Sequence, residues 1–141
     1  MHLKGFCHRD LKPQNIMFEQ RKYGFKNSFI RLIDFGFAVN LGNWQMSESV
    51  AVGTLEYVAP EILFEKPLST KSDMWALGVI VFQMFVGYTP FFDPKKTRVL
   101  ELIKSCDFSF NPHDWSFFSK EARDFIDKLI EPNLSKRMSA A

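Results

Sequence analysis

The stretch HRDLKPQN, residues 8–15, contains three side chains whose types could serve one reaction. Asp10 can accept a proton, Lys12 is a compact positive charge, and Asn15 offers an amide oxygen. Asp34 follows nineteen residues after Asn15, within Asp-Phe-Gly, and adds a hard oxygen of the kind that Mg²⁺ prefers. Taken singly, an Asp beside an Arg is usually a surface ion pair and Asp-Phe-Gly is usually a turn. The prediction that these residues take part in one reaction therefore depends on their order and spacing.

These two motifs resemble the catalytic and metal-binding loops of eukaryotic protein kinases. The resemblance continues through GTLEYVAPE at 53–61, DMWALG at 73–78 and GYTPFFD at 87–93, and then through the pattern W..FS.EARDFI.KLI followed by KR. In detail the chain is similar to the calcium/calmodulin-dependent kinase group of Ser/Thr kinases. Ordered matches at the family's spacing are a highly specific signal.

The resemblance implies transfer of the γ-phosphoryl group of ATP to a protein hydroxyl, with Mg²⁺ bound to the phosphates. Asp10 is then the catalytic proton acceptor. Lys12 assists catalysis and contacts the γ-phosphate, and Lys at this place marks Ser/Thr specificity in the family. Asn15 and Asp34 bind the metal and, through it, the nucleotide. Thr54 by resemblance hydrogen-bonds both Asp10 and Lys12.

The same resemblance implies five structural residues. His8 and Phe35 are packing elements beneath the site. Glu61 and Arg137 occupy the positions of a buried ion pair, and Asp73 holds the backbone of the HRD loop from below.

Regulation is expected at Arg9, because in the family the arginine of this loop can receive an activation-loop phosphate through charge-assisted hydrogen bonds. Related kinases often carry the phosphorylated Thr three residues before the GTLEYVAPE stretch, and here that residue is Val50. Ser47 or Ser49 could substitute, or Glu48 could supply a fixed carboxylate. Phosphorylation control is therefore predicted to be weak or displaced to Ser49.

Substrate selection is expected to differ from that of many relatives. Those kinases select basic peptides through two glutamates, one in the catalytic loop and one in the buried helix. Here both are amides, Gln14 and Gln83. A neutral amide cannot offset the desolvation of a substrate Arg as a carboxylate does, so strong selection for basic peptides is not expected.

The predicted fold class is α+β and predominantly α-helical: a protein kinase-like C-lobe with a small β-hairpin, truncated at both ends. Residues 1–141 form one partial kinase domain. Its parts are a catalytic loop at 8–15, a metal loop at 34–36, an activation segment at 37–61 and C-lobe helices at 62–141.

Local patterns predict the elements of this fold. Residues 14–20 and 28–34 have the β-branched and aromatic content of a hairpin, and 35–53 is typical of a long surface loop. Helices are predicted near 60–64, 72–86, 94–105 and 119–130. Ser119 should cap the last of them, in which Ala122, Phe125, Ile126, Leu129 and Ile130 recur at helical spacing. Trp75, Trp115 and most of the phenylalanines are expected in the core, and Gly78 should let its helix pack closely.

Composition excludes several classes of protein. The chain is 46% hydrophobic with a net charge of +2 and interspersed signs, which argues against disorder and against a nucleic-acid partner. The apolar run 74–92 is interrupted by Gln83 and ended by Gly87 and Pro90, so it predicts a buried helix and no membrane partner. Cys7 and Cys106 are expected to be free thiols in a reducing compartment, with cytoplasmic or nuclear localisation. His2 and His113 are expected to be solvated.

No stretch of the 141 residues matches a Gly-rich phosphate-covering loop, a V-A-I-K lysine strand or the helix that carries the lysine's Glu partner. The chain is therefore expected to lack the N-lobe and, alone, to bind ATP·Mg²⁺ poorly with negligible turnover. Two function classes remain: a Ser/Thr protein kinase, and a non-catalytic C-lobe fragment that acts as a protein-binding module. The retained motif residues favour the first. The expected partners are a protein substrate and either a regulatory protein or the missing N-lobe segment.

Overall fold

The computed structural model describes residues 1–19, 29–43, 53–64 and 67–140. This part of the chain has the predicted α+β, mainly helical architecture. Its strands are β1 (Phe6–Cys7), β2 (Ile16–Glu19), β3 (Phe29–Leu32) and β4 (Val39–Asn40). Its helices are α1 (Pro60–Leu63), α2 (Lys71–Val86), α3 (Lys96–Ser105), α4 (Pro112–Trp115) and α5 (Lys120–Leu129). It also includes 3₁₀ turns at His2–Lys4, Pro13–Asn15 and Leu55–Tyr57.

The predicted hairpin is confirmed. Strands β2 and β3 pair antiparallel, with Ile16 opposite Leu32 and Glu19 opposite Phe29. Their aromatic and β-branched side chains suit a pleated surface. The hairpin joins the end of the HRD loop to the start of the Asp-Phe-Gly motif, so it sets how these two motifs meet.

The prediction of one long surface loop over 35–53 is wrong in part. Strand β4 lies within it and pairs antiparallel with β1, with Cys7 opposite Val39. Strands of two residues are too short to show an alternation of apolar and polar side chains, so periodicity could not reveal them. Residues 44–52 lie outside the described part of the chain.

Helix α2 is the centre of the core. Trp75, Val79 and Phe82 are buried along it, and the polar Asp73 is buried in its first turn. Apolar side chains on every face suit a helix that other elements surround. No helix within the described ranges has the length and apolarity needed to cross a membrane.

Helix α5 packs against α2 and begins as predicted. The Ser119 hydroxyl oxygen accepts a hydrogen bond from the Ala122 N–H at 3.3 Å, and Ile126 is buried. Phe125, which shares this helical period, is 41% exposed and lies at the edge of the apolar face. The helical period identifies an apolar face but does not separate its centre from its edge.

Gly78 brings these two helices close together. A Cβ at Gly78 would lie 2.8 Å from the Cβ of Leu129 and 2.8 Å from the Cγ1 of Ile130. Any larger side chain would therefore push α5 away from α2.

Two tryptophans, Trp75 and Trp115, lie in the core as predicted. Trp75 and Trp115 are fully buried, and the Trp115 ring packs 5.1 Å from that of Phe82. The expectation for most phenylalanines is wrong, because many are exposed on the surface, Phe92 and Phe117 among them. Apolar residues on a protein surface are common, so composition alone does not place them inside.

Candidate active site

Asp73 holds the backbone of the HRD loop. Its carboxylate is 1% exposed at the start of α2. Oδ2 accepts a hydrogen bond from the His8 N–H at 2.9 Å, and Oδ1 accepts one from the Arg9 N–H at 3.0 Å. Arg9 has a left-handed φ of 68°, which is uncommon outside glycine. The carboxylate thus fixes an unfavourable backbone conformation immediately before Asp10.

The His8 ring connects the two motifs. Its Nε2 lies 3.1 Å from the Ile33 carbonyl oxygen, and the Asp10 N–H approaches its Nδ1 at 3.4 Å. Because a carbonyl oxygen only accepts, the hydrogen of this ring is on Nε2 and Nδ1 is the acceptor. The ring packs 5.0 Å from that of Phe35. Phe35 is nevertheless 54% exposed, so the expectation of a packed element beneath the site holds only for the face that meets His8.

Asp10, Lys12 and Thr54 form one cluster of hydrogen bonds. Lys12 Nζ lies 2.7 Å from Asp10 Oδ2 and donates to Thr54 Oγ1 at 2.9 Å. Thr54 donates to Asp10 Oδ1 twice, from its N–H at 3.0 Å and from its hydroxyl at 3.2 Å. The contact depends on Gly53, whose φ is 111° and whose Cβ, if present, would lie 2.8 Å from the Arg9 carbonyl oxygen.

This cluster keeps Asp10 ionised. Burial of the carboxyl acts to raise its pKa, but the hydrogen bond and positive charge of Lys12 and the hydrogen bonds from Thr54 act together to lower it. The result is a pKa of Asp10 below its ordinary value. At neutral pH Asp10 is therefore a carboxylate, and its oxygens can accept a hydrogen bond from a hydroxyl group.

Asn15 belongs to the same cluster. Its amide Nδ2 donates to the Asp10 carbonyl oxygen at 2.8 Å and to Asp10 Oδ2 at 3.2 Å, which leaves its Oδ1 as an acceptor or ligand. Asp34 lies beside it along the backbone, because the Ile33 N–H donates to the Asn15 carbonyl oxygen at 3.0 Å. The Asp34 carboxylate is exposed, and its Oδ1 accepts from the Gly36 N–H at 3.2 Å.

The donor set fits magnesium bound together with a phosphate. Within the described residues, no group of three or more His, Cys, Asp or Glu side chains could by itself hold a metal ion. Mg²⁺ usually takes one or two protein oxygens and completes its shell with phosphate and water. Asn15 and Asp34, whose backbones are adjacent, each offer a side-chain oxygen of this type.

The positions predicted for a buried ion pair do contact each other. Arg137 donates through Nη1 and Nη2 to the two carboxylate oxygens of Glu61, at 2.7 and 2.9 Å. The Ser72 hydroxyl adds a third hydrogen bond to Glu61 at 2.7 Å. Sequence reasoning missed Ser72, although its place beside Asp73 at the start of a buried helix was a signal that it needs a polar partner.

Of the predicted regulatory residues, Arg9 lies in the described part of the chain. The Arg9 Nε donates to the Phe37 carbonyl oxygen at 2.6 Å, which ties this side chain to the start of the predicted activation segment. Ser47, Ser49 and Val50 lie outside the described residues.

The two amides noted in the sequence lie in different surroundings. The Gln83 Oε1 accepts a hydrogen bond from the Tyr57 hydroxyl at 2.8 Å, and Tyr57 belongs to the same 53–61 stretch as Thr54. Gln14 is exposed in the 3₁₀ turn between Lys12 and Asn15. Gln83 is thus connected to the Asp10 cluster through one short turn of chain.

His2 was expected to be solvated, and this prediction is wrong. Its Nε2 lies 2.7 Å from Asp73 Oδ2, and its side chain is only 17% exposed. No local pattern could have shown this, because the two residues are 71 positions apart.

Comparison with known proteins agrees with this geometry. A family model described as a protein kinase domain matches residues 1–141. The chain belongs to the protein kinase family. It is also similar to the rabbit (Oryctolagus cuniculus) calcium/calmodulin-dependent protein kinase type II subunit delta, with 36% identity over 140 residues. The alignment covers 99% of this chain and 26% of that relative, so the chain spans about a quarter of the relative's length.

Membership of the kinase family accounts for the cluster of Asp10, Lys12 and Asn15 at the open end of a small hairpin, whose other strand leads to Asp34. Kinases as a family use ATP and Mg²⁺, and most of their catalysis consists of positioning and charge stabilisation. The predicted resemblance to the calcium/calmodulin-dependent kinase group is confirmed by the rabbit relative.

Proposed function

We propose that the residues of the candidate active site belong to the catalytic domain of a protein Ser/Thr kinase. Such an enzyme transfers the γ-phosphoryl group of ATP to a serine or threonine hydroxyl of a protein. One observation carries the proposal: the Asp10 carboxylate is held ionised by Lys12 and Thr54, with Asn15 donating to the same carboxylate. Such a cluster can orient a hydroxyl group and carry positive charge next to a phosphate.

In this mechanism Asp10 accepts a hydrogen bond from the substrate hydroxyl and directs its oxygen at the γ-phosphorus. A bond forms between that oxygen and phosphorus, the bond from phosphorus to the β–γ bridging oxygen breaks, and the hydroxyl proton passes to Asp10. Lys12 supplies positive charge for the terminal phosphate. Asn15 and Asp34 would hold Mg²⁺, which when bound would neutralise charge on the phosphates.

Replacement of Asp10 tests the reaction. In the natural full-length protein, Asp10→Asn should lower kcat about 10²-fold or more, because it removes the proton acceptor while keeping the size of the side chain. Asp124→Asn, at an exposed position on α5, is the matched control and should leave kcat unchanged. Full activity of Asp10→Asn on serine, threonine and tyrosine peptides would exclude the mechanism, and phosphorylation of tyrosine alone would exclude Ser/Thr specificity.

The isolated 141-residue polypeptide should give negligible turnover, because its sequence has no Gly-rich phosphate loop and no V-A-I-K lysine to hold the nucleotide. The alternative function, a protein-binding module without catalysis, predicts that the full-length protein also fails to transfer phosphate. Measuring both polypeptides with the same peptide separates the two functions.

We also propose a cytoplasmic or nuclear location. Cys7 and Cys106 are free thiols, as a reducing compartment allows. Burial raises the pKa of both thiols, that of Cys106 to about 11, so neither is a reactive thiolate. Imaging of the tagged full-length protein tests the location.

A further inference from the structure

We propose that Gln83 is a specificity-determining residue of this kinase, which selects protein substrates with an uncharged amide side chain, asparagine or glutamine, near the phosphorylated serine or threonine. This role rests on the proposed function, since it concerns the peptide that the kinase would phosphorylate. The observations behind it are the contact of Gln83 with Tyr57 and the charges around that contact.

The contact with Tyr57 fixes the orientation of the Gln83 amide. The Tyr57 hydroxyl donates to Gln83 Oε1 at 2.8 Å. Burial raises the pKa of Tyr57 above its ordinary value, so this hydroxyl keeps its hydrogen at neutral pH. The two N–H groups of Gln83 Nε2 have no acceptor among the residues that the structure describes, and Nε2 is in contact with solvent. Gln83 therefore offers two hydrogen-bond donors to a bound molecule.

Gln83 lies close to the cluster that would receive the substrate hydroxyl. The Tyr57 N–H donates to the Thr54 carbonyl oxygen at 2.9 Å, and the Thr54 N–H donates to Asp10 Oδ1 at 3.0 Å. Asp10, Thr54 and Tyr57 also line one small cavity. An extended peptide advances about 3.3–3.6 Å per residue, so a side chain a few residues from the phosphorylated hydroxyl can reach Gln83.

The charges near this amide favour an uncharged partner. Lys12 is already paired with Asp10, with 2.7 Å between Nζ and Oδ2. Glu56 precedes Tyr57, is partly exposed, and has no ion-pair partner within the described ranges. Its negative charge is close enough to act on the Tyr57 hydroxyl, so it would also repel a substrate carboxylate at Gln83. A substrate arginine has donors only and offers no acceptor to the Gln83 N–H groups.

The cost of an unpaired donor gives the selection its strength. A bound peptide would cover the Gln83 N–H groups, and a donor that is buried without an acceptor costs free energy. An aliphatic substrate side chain leaves both N–H groups in that state, whereas the carbonyl oxygen of asparagine or glutamine accepts from them. A site built to hydrogen-bond a substrate rejects an analogue that lacks the matching group.

Peptide selection by the full-length protein tests this role. Serine peptides carry Asn, Leu, Asp or Arg in turn at each position that flanks the serine. At one position kcat/KM for the Asn peptide should exceed that for the Leu peptide about fivefold, and should also exceed those for Asp and Arg. Gln83→Met, which keeps the length of the side chain without its donors, should bring the Asn/Leu ratio to about one. Met84→Leu, at the exposed neighbouring position, is the control and should keep the ratio.

Binding measurements separate this selection from catalysis. Peptides with Ala in place of the serine cannot be phosphorylated, and the unaltered protein should bind the Asn form about fivefold more tightly than the Leu form. Equal Kd values for the two forms at every position, a preference for Asp or Arg, or an Asn preference that persists in Gln83→Met would overturn the proposal. If the Asn form binds more tightly but no phosphate is transferred, the proposed function fails while the role of Gln83 stands. Phosphate transfer without any Asn preference has the opposite meaning.

Discussion

At the scale of single residues, the charge of Lys12 decides the protonation of Asp10. Lys12→Gln should raise the pKa of Asp10, because the main group that counteracts its burial is removed. Titration of the Asp10 carboxyl carbon by NMR measures this shift. A pKa that stays where it is in the original protein would contradict the arrangement of charges described here.

The same carboxyl gives a pH dependence of stability. The pKa of Asp10 is lower in the folded protein than its ordinary value of 3.8, so the folded state favours the ionised form. Its contribution to the free energy of unfolding is therefore present above about pH 4 and is lost as the pH falls through the lower folded value. In urea unfolding, the free energy of unfolding of Lys12→Gln should fall less over that acidic range than that of the original protein.

Gln83 is one of the two amides for which we predict weak selection of basic peptides. Gln83→Glu should raise kcat/KM for peptides with an Arg near the phosphorylated residue about tenfold, because a carboxylate pairs with a guanidinium as an amide cannot. Gln83→Leu is the control: it adds no charge and, unlike Gln83→Glu, removes the acceptor of the Tyr57 hydrogen bond. Paired peptides that differ only by Arg or Gln measure the selection. Steep Arg selection in the unaltered protein would show that another residue supplies it.

At the scale of elements, the contact of α2 with α5 depends on the absence of a side chain at Gly78. Gly78→Ala should lower the free energy of unfolding by about 1–3 kcal/mol, because the added Cβ would overlap Leu129 and Ile130. Gly42→Ala is a matched control, since its Cβ would meet Asn40 at 3.4 Å, an ordinary contact distance. Chemical denaturation of both variants gives the comparison, and equal effects would mean that α5 adjusts freely.

The elements that sequence patterns predicted are those with a strong local signal. The β2–β3 hairpin has β-branched and aromatic runs, and α5 has a helical period with Ser119 at its start. Strands β1 and β4 have two residues each and depend on pairing across the chain. The sequence analysis did not predict helix α4, although a signal for it was available. Asn111 caps this helix by accepting a hydrogen bond from the His113 N–H at 2.9 Å, and Pro112 follows at the first helical position.

The candidate site divides in the same way. Asp10, Lys12, Asn15 and Asp34 could be named because two contiguous motifs resemble the catalytic and metal-binding loops of kinases. The contacts of His2 and Ser72 could not, because each depends on which distant carboxylate the fold brings to it.

At the scale of the whole molecule, the Glu61–Arg137 pair joins segments 76 residues apart. Both side chains are buried, so Arg137→Met should cost about 3–5 kcal/mol by leaving Glu61 uncompensated. Glu61→Leu combined with Arg137→Met should recover much of that loss. Urea unfolding of the single and double variants tests this coupling, and a double variant as unstable as the sum of the singles would show that the two residues act independently.

Asp73 links the chemistry to the most deeply enclosed helix of the protein. The backbone before the proton acceptor Asp10 is hydrogen-bonded to α2, so motions of the protein surface should change the position of Asp10 little. Heat should therefore leave the reaction centre intact until α2 itself melts, so that thermal inactivation and global unfolding coincide in a single transition.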